Sequence, residues 1–267
     1  MSPARPPEGA NSLSEGQGRR PKGAPLSPAR PPEGANSLSE GQGRRPKGAP
    51  VTPPAMPVRT ALVVLVLGGS VFTALAADLL WHGPVTAADA AFGAWLRALA
   101  RPAVTAPLWL VSELHGTRVL LAMAALAAVL LAWRGQTTWL PPLVLCVPGG
   151  MLLNSAVKHG FQRARPALDG AVELGSYSFP SGHAAGATVW WGFVLVWLLA
   201  HLPRPRERLA ACILAVSMVA LTALSRVYLG AHFASDVLAA IGEGAAWVAF
   251  TFLVLGRRVG APPAPHR

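Results

Sequence analysis

The sequence predicts an all-α fold: a six-transmembrane-helix bundle preceded by a disordered N-terminal tail. Three observations carry this expectation. Of 267 residues, 52% are hydrophobic and only 13% charged, about half the charged share of an average soluble protein. The first 60 residues are polar, whereas the remainder falls into long apolar runs. Nineteen residues in a helix rise roughly 28 Å, close to the hydrocarbon thickness of a bilayer. The same composition excludes a coiled coil and a disulfide scaffold. Cys146 and Cys212 both lie in apolar runs and read as small buried hydrophobes.

Residues 1–59 form a separate basic tail. Ser2–Pro25 recurs without change at Ser27–Pro50, a tandem repeat of period 25. The repeat has no aromatic residue and little aliphatic surface, so it cannot offset its chain entropy by burial. Stacking as a solenoid fails for the same reason. Nine Lys/Arg against four Glu give the tail a net charge of +5. Two readings stay open: an arm drawn to anionic lipid headgroups, or a duplicated segment with no role. Nucleic acid is excluded as a partner, because nothing in the tail can stack on bases. A cleaved signal peptide is not expected, since the first apolar run follows a long polar tail.

Residues 60–257 hold the six expected spans. Ala61–Ala77, Trp139–Val157, Ala184–Leu202 and Val237–Leu255 are long enough alone. Val119–Trp133 and Leu209–Leu224 reach that length with their flanks. Trp81, Trp133 and Trp139 sit at predicted ends, where an amphipathic ring prefers the interface. Pro141, Pro142 and Pro148 are expected to make the third span irregular. Between the first two spans, Phe92, Trp95, Leu96 and Leu99 recur at helical spacing, while Asp89, Arg97 and Arg101 project elsewhere. This pattern predicts a short amphipathic helix in the outer interface.

With the N-terminus cytoplasmic, the short inner segments carry eight arginines: Arg59, Arg134, Arg204, Arg206, Arg208, Arg257, Arg258 and Arg267. The outer side carries four, Arg97, Arg101, Arg118 and Arg163. That bias predicts both termini inside, with residues 258–267 a short cytoplasmic tail.

In this topology three polar segments share the outer surface. They are Lys158–Pro166 (KHGFQRARP), Pro180–His183 (PSGH) and Ser225–Asp236 (SRVYLGAHFASD). Cations at a membrane edge are costly unless paired or functional, so their convergence points to a ligand. Lys158, Arg165 and Arg226 supply three positive charges, and arginine forks suit phosphoryl oxygens. Ser181 is placed as an N-cap, with backbone N–H groups from Gly182 onward forming an anion site. His232 and Asp236 are four apart, so a carboxylate can hold one imidazole nitrogen and leave the other as nucleophile or base. His183 stands among the cations, where it can protonate a leaving oxygen.

These segments resemble the KxxxxxxRP, PSGH and SRxxxxxHxxxD signatures of the type 2 phosphatidic acid phosphatase family, which vanadium haloperoxidases share. All eleven specified positions match. Two flanking positions differ from the family's usual pattern: Ala234-Ser235 replaces a frequent Pro-Thr, and Ala240 a common glycine. The resemblance implies that His232 is the nucleophile forming a phosphohistidine, oriented by Asp236, and that His183 is the general acid and then base. It assigns phosphoryl binding to Lys158, Arg165, Ser181, Gly182 and Arg226. No metal or other cofactor is implied.

The resulting expectation is an integral-membrane phosphatase. It hydrolyses a lipid phosphate or pyrophosphate, such as phosphatidic acid, phosphatidylglycerol phosphate or polyprenyl pyrophosphate, from the extracytoplasmic side. Three alternatives remain: a lipid phosphotransferase on the same site, a non-catalytic lipid-phosphate binder or transporter, and a vanadate-dependent haloperoxidase. A pure binder has no use for His183 together with a His232/Asp236 pair, and haloperoxidases are soluble. Glu243, Glu113 and His115 are polar residues within or beside spans with no assigned role. For Glu243 a hydrogen bond to a neighbouring helix is expected, and Asn154, one turn before Lys158, is expected to steady that lysine. His159 and Arg163 lie outside the signature and are not assigned to the site.

Overall fold

The computed structural model describes residues 56–166 and 176–259, with side chains through Leu255. The expectations for residues 1–55 and 260–267, and those resting on the Arg257 and Arg258 side chains, lie outside these described residues. The described chain is helical: α1 (Val58–Leu80), α2 (Pro84–Ala98), α3 (Pro102–Leu114), α4 (Thr117–Trp133), α5 (Leu140–Phe161), α6 (Gly182–His201), α7 (Pro205–Tyr228) and α8 (Ala234–Val259). A single 3-10 turn, Thr137–Trp139, leads into α5.

Five helices are long and apolar enough to cross a bilayer: α1, α5 with its leading turn, α6, α7 and α8. The expected second span differs. It is a pair, α3 and α4, bent by 53° at a short break, and it makes a sixth span only if both are counted together. The break follows from its residues. Leu114 ends α3, His115 takes a non-helical conformation, and Gly116 is extended before α4. The 17 residues of α4 rise only ~26 Å. The third span is less disturbed by proline than its sequence suggests. Pro141 and Pro142 fall in the first turn, where no backbone donor is needed, and α5 runs unbroken through Pro148.

The expected helix forms as α2, but its apolar stripe divides. Phe92, Trp95 and Leu99 at its C-cap are exposed, whereas Leu96 packs against the core around Ala184 and Ala223, and Asp89 and Gly93 are buried. Asp78 at the end of α1 fixes the start of α2: its carboxylate accepts from Thr86 N at 2.7 Å and Thr86 Oγ1 at 2.8 Å.

α8 is the hub of the bundle, packed on α1, α5 and α6. Its approach to α1 requires glycine on both helices. A Cβ on Gly68 would lie 2.6 Å from the Gly242 carbonyl oxygen, and one on Gly242 would lie 2.7 Å from that of Gly68. Small residues at such crossings let helix backbones meet where lipid offers no hydrophobic gain.

Two interface expectations split. Trp81 and Trp133 are exposed at helix ends, as an interfacial ring should be. Trp139 is instead fully buried, packed edge-on against Phe193 and beside His201. Cys146 is buried, with its thiol directed at the Val189 carbonyl, but Cys212 is only partly covered.

Candidate active site

Each functional segment lies where a helix starts or stops, and all of these ends meet at one end of the bundle. α5 closes with Gln162 in the left-handed region (φ 50°), which turns the chain away from the helix axis. Lys158 lies in the last turn of α5, and its Nζ donates to the Tyr177 carbonyl at 3.0 Å. Arg165 follows the turn. It donates from Nε to the Ser176 carbonyl (2.8 Å), from Nη2 to Ser176 Oγ (2.9 Å) and from Nη1 to the Ala231 carbonyl (2.7 Å). Burial holds its guanidinium below the ordinary arginine value.

Ser181 is the N-cap of α6, accepting from Ala184 N at 3.5 Å, as its sequence position predicts. The Ser181 N–H donates to the Asp236 carbonyl at 3.1 Å, fastening the start of α6 to the start of α8. Gly182 leaves room beside Lys158, since a Cβ there would lie 3.9 Å from Nζ. His183 lies beneath the α3–α4 bend, with its Nε2 3.7 Å from where a Cβ on Gly116 would sit. It is within electrostatic reach of Arg226, His232, Lys158 and Arg165.

His232 sits in the loop between α7 and α8 and is 2% exposed. Its Nδ1 lies 3.4 Å from Asp236 Oδ2 and 3.5 Å from Ser178 Oγ. Its Nε2 lies 3.1 Å from Arg165 Nη1. A guanidinium can only donate, so Nε2 is the unprotonated nitrogen and Nδ1 carries the hydrogen toward Asp236. Burial pushes the imidazole down to about 4, against the opposing pull of Asp236.

Asp236 is fully buried and saturated. Oδ2 accepts from Phe233 N at 2.9 Å and from Ser178 Oγ, while Oδ1 accepts from Arg163 Nη1 at 2.6 Å. Arg226, in the last turn of α7, donates from Nη1 to Ser112 Oγ of α3 at 2.5 Å. Its Nε is buried and finds no acceptor among the described residues. Lys158, Arg165, Ser181, Gly182, His183, Arg226, His232 and Asp236 are thus brought together, as the three segments required.

The structure adds residues that the signatures do not contain. Arg163, set aside on sequence grounds, joins Asp236 to Asp89 of α2, with its Nη2 2.9 Å from Asp89 Oδ2. Ser178 buttresses the His232/Asp236 pair, and Ser112 holds Arg226. The signal for Arg163 was its charge: a fourth cation at a membrane edge needs a partner as much as the other three. Asn154 does not steady Lys158. Its amide donates to Glu243 Oε2 at 2.7 Å, which is the interhelical bond expected of Glu243. His115 accepts from Trp191 Nε1 at 2.9 Å and donates from Nδ1 to the Val111 carbonyl, so it ties the bend to α6. A cavity of about 190 Å³ adjoins His232 and is walled by Asp89, Ala90, Gly93, Arg97, Pro166 and Phe233.

Apolar helices of spanning length, with three cations, two imidazoles and a buried carboxylate gathered at one end, define a multi-pass membrane protein. Residues 139–259, which hold all three signatures, match the PAP2 superfamily. Phosphatidylglycerophosphatase B of Bacillus subtilis (strain 168) is 37% identical over 123 residues, 45% of this chain and 59% of the relative. The match therefore spans less than two thirds of that curated relative. The crystal structure of the first transmembrane PAP2 type phosphatidylglycerolphosphate phosphatase from Bacillus subtilis superimposes with a TM-score of 0.62 at 27% identity, covering 75% of this chain and 99% of that one. Aquifex aeolicus LpxE aligns with a TM-score of 0.46 at 22% identity, over 60% of this chain and 92% of its own.

Proposed function

We propose that the protein is a membrane phosphatase that hydrolyses a lipid phosphate or pyrophosphate through a phosphohistidine on His232. The observation that carries this reading is the state of that imidazole. Its Nε2 lone pair faces the cation cluster, and its Nδ1 hydrogen faces a buried carboxylate. The unpaired Nε of Arg226 adds a buried donor suited to an anionic oxygen. The Bacillus relatives are named as phosphatidylglycerol phosphate phosphatases, which supports the same substrate class.

In the first step His232 Nε2 attacks phosphorus in line. The bond to the lipid oxygen breaks, and His183, as the general acid of the scheme, gives that oxygen its proton. Lys158, Arg165, Arg226 and the N–H groups at the start of α6 hold the three equatorial oxygens. In the second step His183 takes a proton from water, the hydroxide attacks the phosphohistidine, and inorganic phosphate leaves with His232 restored. Asp236 keeps the positive charge on the imidazole bearable in both steps. The arginine bias supports an orientation with this end of the bundle outside the cytoplasm.

The test is phosphate release by the purified full chain from phosphatidic acid, phosphatidylglycerol phosphate and polyprenyl pyrophosphate in mixed micelles. His232→Ala must abolish release while the protein still inserts and purifies as a folded species. Turnover retained in that variant refutes the covalent scheme. A cysteine placed at Ser176 reacts with an impermeant thiol reagent on intact cells; reaction only after lysis inverts the orientation.

A further inference from the structure

The scheme above uses none of α2, yet a buried chain of charges runs from this interfacial helix to the aspartate behind His232. Asp89 is 3% exposed. Its Oδ1 accepts from Ser235 N at 3.0 Å, and its Oδ2 accepts from Ser235 Oγ and, at 2.9 Å, from Arg163 Nη2. The other arm of the same guanidinium, Nη1, donates to Asp236 Oδ1 at 2.6 Å and to Ser235 Oγ at 2.7 Å. Arg163 is further fixed by the Phe233 ring, 4.2 Å from its carbon centre. The chain thus reads carboxylate, guanidinium, carboxylate, imidazole.

Stability does not explain such an arrangement. A buried ion triad costs several kcal/mol per charge in desolvation, and apolar residues of similar volume often serve as well. Its consequence is electrostatic. One cation stands between two carboxylates, so Arg163 neutralises Asp236 only to the extent that Asp89 leaves it free.

We infer that Arg163 and Asp89 are positioning residues that set how much of the Asp236 negative charge acts on the His232 imidazole. This rests on the reading of His232 as the nucleophile. Too much charge on that side would favour the imidazolium, which has no lone pair to attack with. Too little would leave the phosphorylated ring unsupported. The other ionisable groups acting on His232 are Lys158 of α5, Arg165 of the following loop and His183 of α6, with Arg97 across the α2 cavity, while Arg226 of α7 acts on His183. None of them touches Asp236 directly, so Arg163 alone among the described cations can tune that carboxylate by contact.

The test uses Arg163→Gln, Arg163→Lys and Asp89→Asn in the full-length protein in detergent. Two readouts are taken: the acid limb of kcat/KM, and the titration of the His232 ring by imidazole NMR. Arg163→Gln removes a positive charge from behind Asp236, so the His232 titration and the acid limb rise by about one pH unit. Arg163→Lys keeps the charge and holds the limb within a few tenths of wild type, even where kcat falls through loss of the fork. Asp89→Asn leaves Arg163 unshared, so the titration does not rise. Titrations that coincide in all variants, or that rise in Asp89→Asn as in Arg163→Gln, overturn the inference. If Arg163→Gln does not fold, the sign in Asp89→Asn decides alone. The NMR titration needs no turnover. A protein that shows these shifts but hydrolyses no lipid phosphate would retain this inference and sink the phosphatase reading.

Discussion

Replacing Asp236 by asparagine tests the pocket where its geometry is most demanding. The two carboxylate oxygens do different work. Oδ1 accepts from Arg163, and Oδ2 accepts from Phe233 N and Ser178 while facing His232 Nδ1. Every one of these neighbours is a donor, and a carboxamide offers only one oxygen. Either orientation of the amide therefore sets its N–H₂ against a donor, and the natural partner to lose is the imidazole. At the 3.4 Å between Nδ1 and Oδ2, with an effective dielectric near 20, a carboxylate stabilises a unit charge on the ring by about 5 kcal/mol. At about 1.4 kcal/mol per decade, that corresponds to a kcat loss of roughly 10³- to 10⁴-fold. The size agrees with what the wrong imidazole tautomer costs in serine protease triads. The assay is phosphate release from phosphatidic acid micelles, run below the melting temperature of each variant, because breaking a buried pair also costs about 3–5 kcal/mol of stability. A folded Asp236→Asn protein that keeps a tenth of wild-type kcat would refute the reasoning.

Three further outcomes are expected. In wild type, kcat/KM is lost as pH falls through about 4, because His232 is held down to that value by burial and must be neutral to attack; an acid limb near 6.5 would place the essential base elsewhere. If charge compensation comes from Lys158, Arg165 and Arg226, as the proposed scheme has it, a chelator leaves turnover unchanged while vanadate, which takes a five-coordinate geometry, competes with substrate; the reverse pattern points to other chemistry. Gly242→Ala sets a methyl 2.7 Å from the Gly68 carbonyl and forces α1 from α8, so thermal unfolding should show a loss of about 1–3 kcal/mol, and an unchanged melting curve would mean that the helices already stand apart.

Much of this molecule was legible along the chain because a bilayer imposes a one-dimensional rule: a span must be apolar for about 20 residues. The four longest runs, the amphipathic α2 and the N-cap at Ser181 all follow from local pattern. The signatures gathered the cationic groups because residues such as Lys158 and Arg226 sit at fixed offsets from helix ends, and antiparallel helices bring alternate ends to the same side. Local pattern failed at α3. The run Pro102–Leu114 contains an internal proline and is too short to span, and its meaning comes from the 53° bend that carries Ser112 to Arg226.

What the sequence determined by itself was the membrane class, the identity of the charged groups and the end of the bundle they share, since burial cost and helix period act residue by residue. The tertiary structure decided which charge faces which. Asp89 and Arg163 are 74 positions apart, and Asn154 and Glu243 are 89 apart. No spacing rule reaches across such intervals. Partners of that kind are chosen only when packing fixes two helix faces within 3 Å of each other, where Coulomb and hydrogen-bond energies become large enough to select one pairing over the rest.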